Sequence, residues 1–334
     1  MSGALVVHIS HESEVGEARR AVARVAVQAG LGESKAGTAT LLATELASNL
    51  VRHAQGGELL VQTLVIDGVP VIELIALDNG PGMADVERCM ADGFSTAGTL
   101  GVGLGGVRRM ASTFDVYSRP GWGSIFLARV NGDDSQRARE RFEWGCVSLP
   151  VRGETECGDS WSVDVHEQRI RAMVADGLGH GPLAARAAQE AGRVFAESRN
   201  IAPIDFLAQA HRALGSTRGA AVSVAQGYAS EASLSFAGVG NVAGAIVGSQ
   251  EQRGLAAHNG TIGATLPRVK AFEYEWPEHA LLVLHSDGLR SRWSLRDYPG
   301  LHARHPAIVA AALYKDFRRG NDDVTVLAAR RVGS

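Results

Sequence analysis

ATELASNLVRHA, residues 43–54, reads as a helix that carries an acid and an amide in an unusual place. Glu45 and Asn49 lie four residues apart, which puts them on one face at 3.6 residues per turn. Leu42, Leu46 and His53 sit beside that face, so the carboxylate and the carboxamide border an apolar stripe. A solvated helix face keeps such groups further from the core. The stretch therefore poses a functional question: what does a helix gain from an acid and an amide, one turn apart, at the edge of its buried side?

Working outward, ALVVHIS before this helix reads as a strand, and SEVGEARRAVARVAVQAG as a helix with apolar residues at helical spacing and a glycine stop. The helix of residues 43–54 is expected to end at Gly56-Gly57. ELLVQTLVIDGVPVIELIAL reads as two strands around an Asp-Gly turn, a hairpin signal. A glycine-rich segment, a short helix near GGVRRMAS and the hairpin FDVYSRPGWGSIFLARV complete the first half. Such hairpins favour a layered α/β domain with a mixed or antiparallel sheet over a doubly wound parallel one.

The chain has 334 residues, which suggests two domains. A polar, charged stretch over residues 131–141, with an Asn-Gly turn and no apolar periodicity, marks the boundary. We read residues 1–132 as one domain, 133–141 as a linker and 142–334 as the second domain. Net charge is −3 and no dense Lys/Arg run occurs, which argues against a nucleic-acid partner. Cys89, Cys146 and Cys157 show no metal-ligand spacing and are too few for a disulfide framework, as in a reducing cytoplasm. The first residues have no signal-peptide pattern, and no uncharged stretch approaches the roughly 20 residues of a membrane span. The expected location is cytoplasmic, without a membrane partner.

Two further motifs follow the opening helix. LDNGPGM, residues 77–83, places Asp78 at the end of a strand before Gly80 and Gly82, where glycines permit close backbone approach to a ligand. GTLGVGLGGVRRM then brings Gly98, Gly101, Gly103, Gly105 and Gly106 to the start of a helix, where unpaired N–H groups suit phosphates. In that order, helix with Glu-x-x-x-Asn, strand with DNGPG, glycine loop with helix, the trio resembles the N, G1 and G2 boxes of the GHKL (Bergerat) ATP-binding α/β sandwich. The likeness is nearest to the bacterial anti-sigma-factor serine kinases of the RsbW and RsbT type, and ELASNLVRHAQGG is particularly RsbT-like. The resemblance implies ATP with Mg²⁺ as cofactors. It implies Asn49 as the Mg²⁺ ligand and Glu45 as the base that takes a proton from a serine hydroxyl. It further implies Asp78 as acceptor for the adenine amino group, Gly80 and Gly82 as walls of the adenine pocket, and Gly101, Gly103 and Gly105 along the phosphates. Arg52 and His53 are read as structural or phosphate-adjacent.

The second half is richer in strands: FEWGCVSL, SWSVDV, RIRAMVAD, GAAVSVAQGY, EASLSFAG, AGAIVG, VKAFEYE, ALLVLHSD and DVTVLAAR. GPLAARAAQEAGRVFAES, PIDFLAQAHRAL and PAIVAAALYKDFRR read as helices, which gives a two-sheet sandwich flanked by helices. Aspartates recur at strand ends: Asp159 in CGDSW, Asp176 before Gly177 in MVADGLGHG, Asp287 in LHSDGLRSRW, and Asp322-Asp323 in GNDDVTVL. Carboxylates gathered at one sandwich edge repel one another unless hard divalent cations lie between them. Two such ions about 3.5–4 Å apart can activate a water for in-line displacement at phosphorus.

These motifs, in order over residues 140–332, resemble the PPM family of metal-dependent Ser/Thr phosphatases, specifically its SpoIIE-like and RsbX-like branch, whose fold is an αββα sandwich. The resemblance implies two Mn²⁺ or Mg²⁺ ions. Asp176 would bridge them and the Gly177 carbonyl would join one. Asp287 and Asp323 would bind from the other side, with Asp322 as the alternative to Asp323, and Asp159 would complete the cluster directly or through water. Asn241 in GVGNVAG marks a turn near the site. His180 is either a proton donor to the leaving serine or a loop-stabilising residue. The Arg-rich opening strand of eukaryotic relatives is missing, which would leave phosphate capture to the metals alone.

Together the resemblances imply a kinase–phosphatase fusion acting on a STAS-domain anti-anti-sigma-type phosphoprotein, and through it on a sigma factor or another switch protein. A homodimer through the first domain is left open. One alternative is a phosphatase whose first domain only binds ATP and a partner. Another is a silent interaction scaffold.

Overall fold

The computed structural model describes residues 4–90, 103–133, 141–249, 251–266 and 268–332. The chain divides into two compact units on either side of residue 138. In the first, β1 (Leu5–Ile9) leads to α1 (Glu12–Gln28) and α2 (Glu33–Ala54), then β2 (Gly57–Ile66) and β3 (Val69–Leu77). Two short helices, α3 (Val86–Met90) and α4 (Gly103–Met110), precede the hairpin of β4 (Thr113–Arg119) and β5 (Gly123–Asn131). The strands form one antiparallel sheet in the order β1-β2-β3-β5-β4. The expected Asp-Gly hairpin is present, with Asp67 and Gly68 both at positive φ, as such a turn demands.

The helices and one sheet face share a core. Ala18, Val22 and Ala26 of α1, and Leu42, Leu46 and Leu50 of α2, pack with Leu59, Val61, Ile72, Leu74, Ala128 and Val130. On the alternate residues, Gln62, Glu73 and Arg129 stand side by side on three neighbouring strands, all buried. Gln62 Nε2 donates to Glu73 Oε1 at 2.5 Å, and Arg129 Nε donates to Glu73 Oε2 at 2.7 Å. The guanidinium also reaches Glu73 Oε2 through Nη2 at 2.7 Å. Three polar groups on a buried face are tolerable because each satisfies the next.

Helix α2 begins ten residues before the quoted stretch. It ends at Ala54, with Gln55 rather than a glycine in the left-handed conformation at φ 60° and Gly56 following at φ 119°.

The second unit opens with β6 (Phe142–Leu149), then β7 (Asp159–His166) and β8 (Arg169–Gly177). Helices α5 (Pro182–Glu197) and α6 (Pro203–Ala213) precede β9 (Ala220–Tyr228), β10 (Ser233–Val239), β11 (Ala243–Val247) and β12 (Gln252–Leu255). β13 (Phe272–Glu275), β14 (Leu281–His285), α7 (Pro306–Phe317) and β15 (Val324–Arg331) complete it. Two five-stranded antiparallel sheets result, β13-β10-β9-β8-β7 and β12-β11-β14-β15-β6. The alanine-rich face of α5 and the Phe206–Leu207–Ala210 face of α6 cover Met173, Ala175, Val222, Val224 and Ala237 of the first sheet. Helix α7, buried along most of its length, packs on β6 and β15. Trp144 of β6 meets Trp161 of β7 between the sheets, ring centroids 5.8 Å apart. The arrangement is the expected helix-flanked double sheet.

The three cysteines are free. Among the described residues no helix is long and apolar enough to cross a membrane.

Candidate functional site

In the first unit, α2 holds Glu45 and Asn49 half-buried beside Leu42 and Leu46, which are fully buried. Asn49 Nδ2 is buried without a hydrogen-bond partner among the described residues. Asp78, one residue past β3, is 4% exposed. Its Oδ1 accepts from the amides of Gly80 at 2.8 Å and Ser124 at 3.2 Å, and its own amide donates to the Ser124 carbonyl. The carboxylate is thus fixed between its own turn and β5.

The loop after Asp78 runs close to other backbone. A Cβ on Gly82, at φ 68°, would lie 1.9 Å from the Arg119 carbonyl oxygen, and no side chain fits there. A Cβ on Gly80 would lie 2.7 Å from Ala54 Cα, so the loop presses on the end of α2, the helix that carries Asn49. The structure adds Gly123, whose Cβ would stand 2.2 Å from the Asp78 carbonyl oxygen. PGWG reads only as a turn in the sequence, and its contact with Asp78 arises from the β3–β5 pairing. Ser118 Oγ accepts from the Met83 amide and meets Ser124 Oγ at 2.9 Å, tying the same loop to the β4–β5 hairpin. Gly103 opens α4 and Gly105 lies in its first turn. Gly98 and Gly101 fall outside the described residues. Arg52 stands 3.8 Å from Glu12, and His53 is exposed at the helix end rather than beside the apolar stripe.

In the second unit the acids meet across the two sheets. β7 and β8 pair Asp159 directly opposite Asp176. Ser286, just past β14, donates its hydroxyl to Asp159 Oδ2 at 2.6 Å and accepts from the Thr325 amide at 2.9 Å. That hydroxyl fastens one sheet to the other. Asp287 follows Ser286, and its Oδ2 accepts from Asn241 Nδ2 at 2.8 Å. Asn241 is therefore more than a turn marker: it orients an acid of the cluster. Gly177 is buried, and a Cβ there would lie 2.1 Å from the Ala184 carbonyl oxygen of α5.

Asp323 departs from expectation. Its Oδ1 accepts from the Val151 amide at 2.7 Å and its Oδ2 from the Gly158 amide at 2.9 Å, so both oxygens serve the β6–β7 loop. Asp322, half-buried, accepts among the described residues only from the Asp323 amide next to it. Both Asp323 oxygens are thus engaged by backbone amides, whereas Asp322 has a single such contact among the described residues. His180 is 67% exposed, and its Nδ1 lies 3.0 Å from Glu154 Oε1. That contact favours the loop-stabilising role over proton donation.

The electrostatics record the crowding. Burial first, then the charges of Asp159, Asp287, Asp322 and Asp323, push Asp176 from an ordinary 3.8 up to about 8. Burial raises Asp159 to about 7 against the lowering effect of its Ser286 and Thr325 hydrogen bonds. Asp322 is raised by burial and by Asp287. Among the described residues no three acidic, histidine or cysteine side chains close round a single point as one metal cage. The cluster is open.

Comparison with known proteins gives both units relatives. Residues 166–332 match the model of the family described as Stage II sporulation protein E, SpoIIE. Residues 10–127 match the histidine kinase-like ATPase domain. The serine/threonine-protein kinase RsbT of Bacillus subtilis (strain 168) is 35% identical over 122 residues, 36% of this chain and 92% of its own length. Among solved structures, a chain from work on the bacterial stressosome as a modular system controlling secondary messenger signalling is 28% identical, with a TM-score of 0.53. It covers 57% of this chain and all of that one. RsbX in complex with magnesium shares the fold over 58% of this chain and 98% of its own, at a TM-score of 0.51 and 19% identity.

Proposed function

This chain belongs to the SpoIIE family, with a histidine kinase-like ATPase domain of the RsbT kind ahead of the phosphatase domain, and on that premise we propose a two-activity regulator of partner switching. The second unit would remove phosphate from a phosphoserine on a STAS-type anti-anti-sigma protein. The first would add phosphate to the same class of partner. The observation that carries the phosphatase reading is the facing pair Asp159–Asp176, with Asp287 and Asp322 charges added to it. Two adjacent strands would not keep like charges opposite one another at a buried edge without a counter-ion to receive.

Mn²⁺ or Mg²⁺ held there would supply Lewis acidity and an activated water for in-line displacement at phosphorus. Asp176, Asp287 and Asp322 would hold the ions. Asn241 would hold the Asp287 carboxylate in one orientation. Ser286 would do the same for Asp159, while Asp323 would keep the β6–β7 loop in place. In the first unit Asn49 would offer its carboxamide oxygen to nucleotide-bound Mg²⁺. Asp78 would accept from the adenine amino group beside Gly82. Glu45 would take the proton of the attacking serine as its Oγ bonds to the γ-phosphorus and ADP departs.

A second reading keeps the phosphatase and makes the first unit an ATP-dependent switch, since Asn49, Asp78 and Gly82 all serve binding and Glu45 alone serves transfer. The Glu45→Ala variant separates them, with ATP affinity measured by titration and transfer by incorporation of labelled γ-phosphate into a STAS-domain protein. Lost transfer with ATP binding retained supports the kinase. No transfer by the unaltered chain supports the switch. For the second unit, Mn²⁺-dependent hydrolysis of p-nitrophenyl phosphate should vanish in Asp176→Asn, and an inactive unaltered protein would overturn the phosphatase reading.

A further inference from the structure

A phosphoserine dianion that approaches an edge lined by Asp159, Asp176, Asp287 and Asp322 meets a like charge first. The chain offers it a cation there. β8 pairs with β9 so that Asp176 faces Ala221 and Gly177 faces Ala220. The pairing runs on past the strand ends, where the Leu178 amide donates to the Gly219 carbonyl at 3.0 Å. One residue further, Arg218 lies against Gly179: a Cβ added at Gly179 would stand 3.2 Å from Arg218 Nη1. The guanidinium therefore lies on the loop that leaves Asp176, and the residue beneath it is a glycine, at φ 90°.

Arg218 is exposed, and no ion pair or hydrogen bond within the described residues holds its side chain. Three other arginines of this unit are committed: Arg169 to Asp164 and Asn200, Arg193 to Glu190 and Glu197, Arg330 to Glu143. The acid on the same rim, Glu154, is taken by His180. The geometry points to Arg218 as the side chain that binds the phosphoryl group of the substrate, its planar fork reaching two non-bridging oxygens. This supplies from the loop before β9 the phosphate grip that the opening strand lacks. The inference rests on the phosphatase reading above.

The test uses the full chain loaded with Mn²⁺, p-nitrophenyl phosphate as substrate and inorganic phosphate as both competitive inhibitor and calorimetric ligand. Losing a charge-assisted contact should raise KM and the phosphate Kd about tenfold or more in Arg218→Ala. The expected kcat stays within about threefold, since the group binds substrate and transition state alike. Mn²⁺ affinity should stay within about twofold. Arg218→Lys should recover part of the loss, as a point charge without the fork. An active unaltered enzyme whose Arg218→Ala variant binds phosphate normally overturns the inference alone. So does a variant that loses Mn²⁺ binding together with phosphate binding, because that marks a structural role. An unaltered protein that neither hydrolyses nor binds phosphate overturns the phosphatase reading, and this inference with it.

Discussion

Replacing Asp176 by Asn should make the metal-free protein more stable at alkaline pH, although it removes an acid from the centre of the candidate site. The magnitude follows from the displacement of that carboxyl, from 3.8 to about 8. A group whose folded-state pKa lies above its unfolded value holds a proton in the fold that the unfolded chain releases. Its contribution to stability is therefore lost as pH rises from about 4 through about 8. Four pH units at ~1.4 kcal/mol each set a ceiling of about 6 kcal/mol. Asp176 is only half-buried, so water screens part of the cost, and about 3–4 kcal/mol is the working figure. For a unit of this size that corresponds to a rise of about 10 °C in melting temperature.

The assay is a set of thermal melts of both proteins in chelator between pH 5 and 8.5, followed on the second-unit transition because the two units need not melt together. The gap between variant and unaltered protein should be small at pH 5 and widen steadily. Added Mn²⁺ should then raise the melting temperature of the unaltered protein and leave the variant nearly unmoved. If Asp176→Asn melts at or below the unaltered protein at pH 8.5 without metal, the carboxylates are not repelling one another and the account of the cluster fails.

Further outcomes follow from the same geometry. Asp322→Asn should weaken Mn²⁺ binding at least tenfold with little loss of stability, whereas Asp323→Asn should cost about 1–3 kcal/mol by removing an acceptor from the Val151 or Gly158 amide and spare most Mn²⁺ affinity; calorimetric titration and melts on both variants check this. Asn241→Ala should lower metal affinity about tenfold, because Asp287 loses the donor that orients it, and Asn241→Ser should fall between. Phosphatase turnover should change when ATP is added to the intact chain and stay unchanged in a second-unit fragment; equal rates in all four measurements would remove any coupling between the activities.

Much of the fold was legible because its strands alternate and its turns carry their own chemistry. Asp67-Gly68 set one hairpin by dihedral preference alone. Elements without such a signal escaped. β12 is four residues long with three of them exposed, so no alternation betrays it, and α3 has no buried residue. The first two turns of α2 carry Gly37, Thr38 and Thr40, and only Ala39 of that part is buried, so the apolar stripe emerges late. At the sites, residue types were readable but their partners were not. That Asp159 faces Asp176 depends on strand register. Which of Asp322 and Asp323 serves the loop depends on where two amides of a distant segment come to rest. Arg218 meets Gly179 from 39 positions away in the chain, a distance no motif spans.

The buried trio of Gln62, Glu73 and Arg129 has an effect beyond its own strands. Glu73 sits five residues ahead of Asp78 on the strand that delivers it, and its neighbours grip it from both sides. A slip of one residue would carry the carboxylate to the opposite face, among the aliphatic side chains under the helices, and abandon the guanidinium. The trio thus acts as an indexing pin: it fixes how far the strand projects, and with it the height at which the adenine-reading acid would stand.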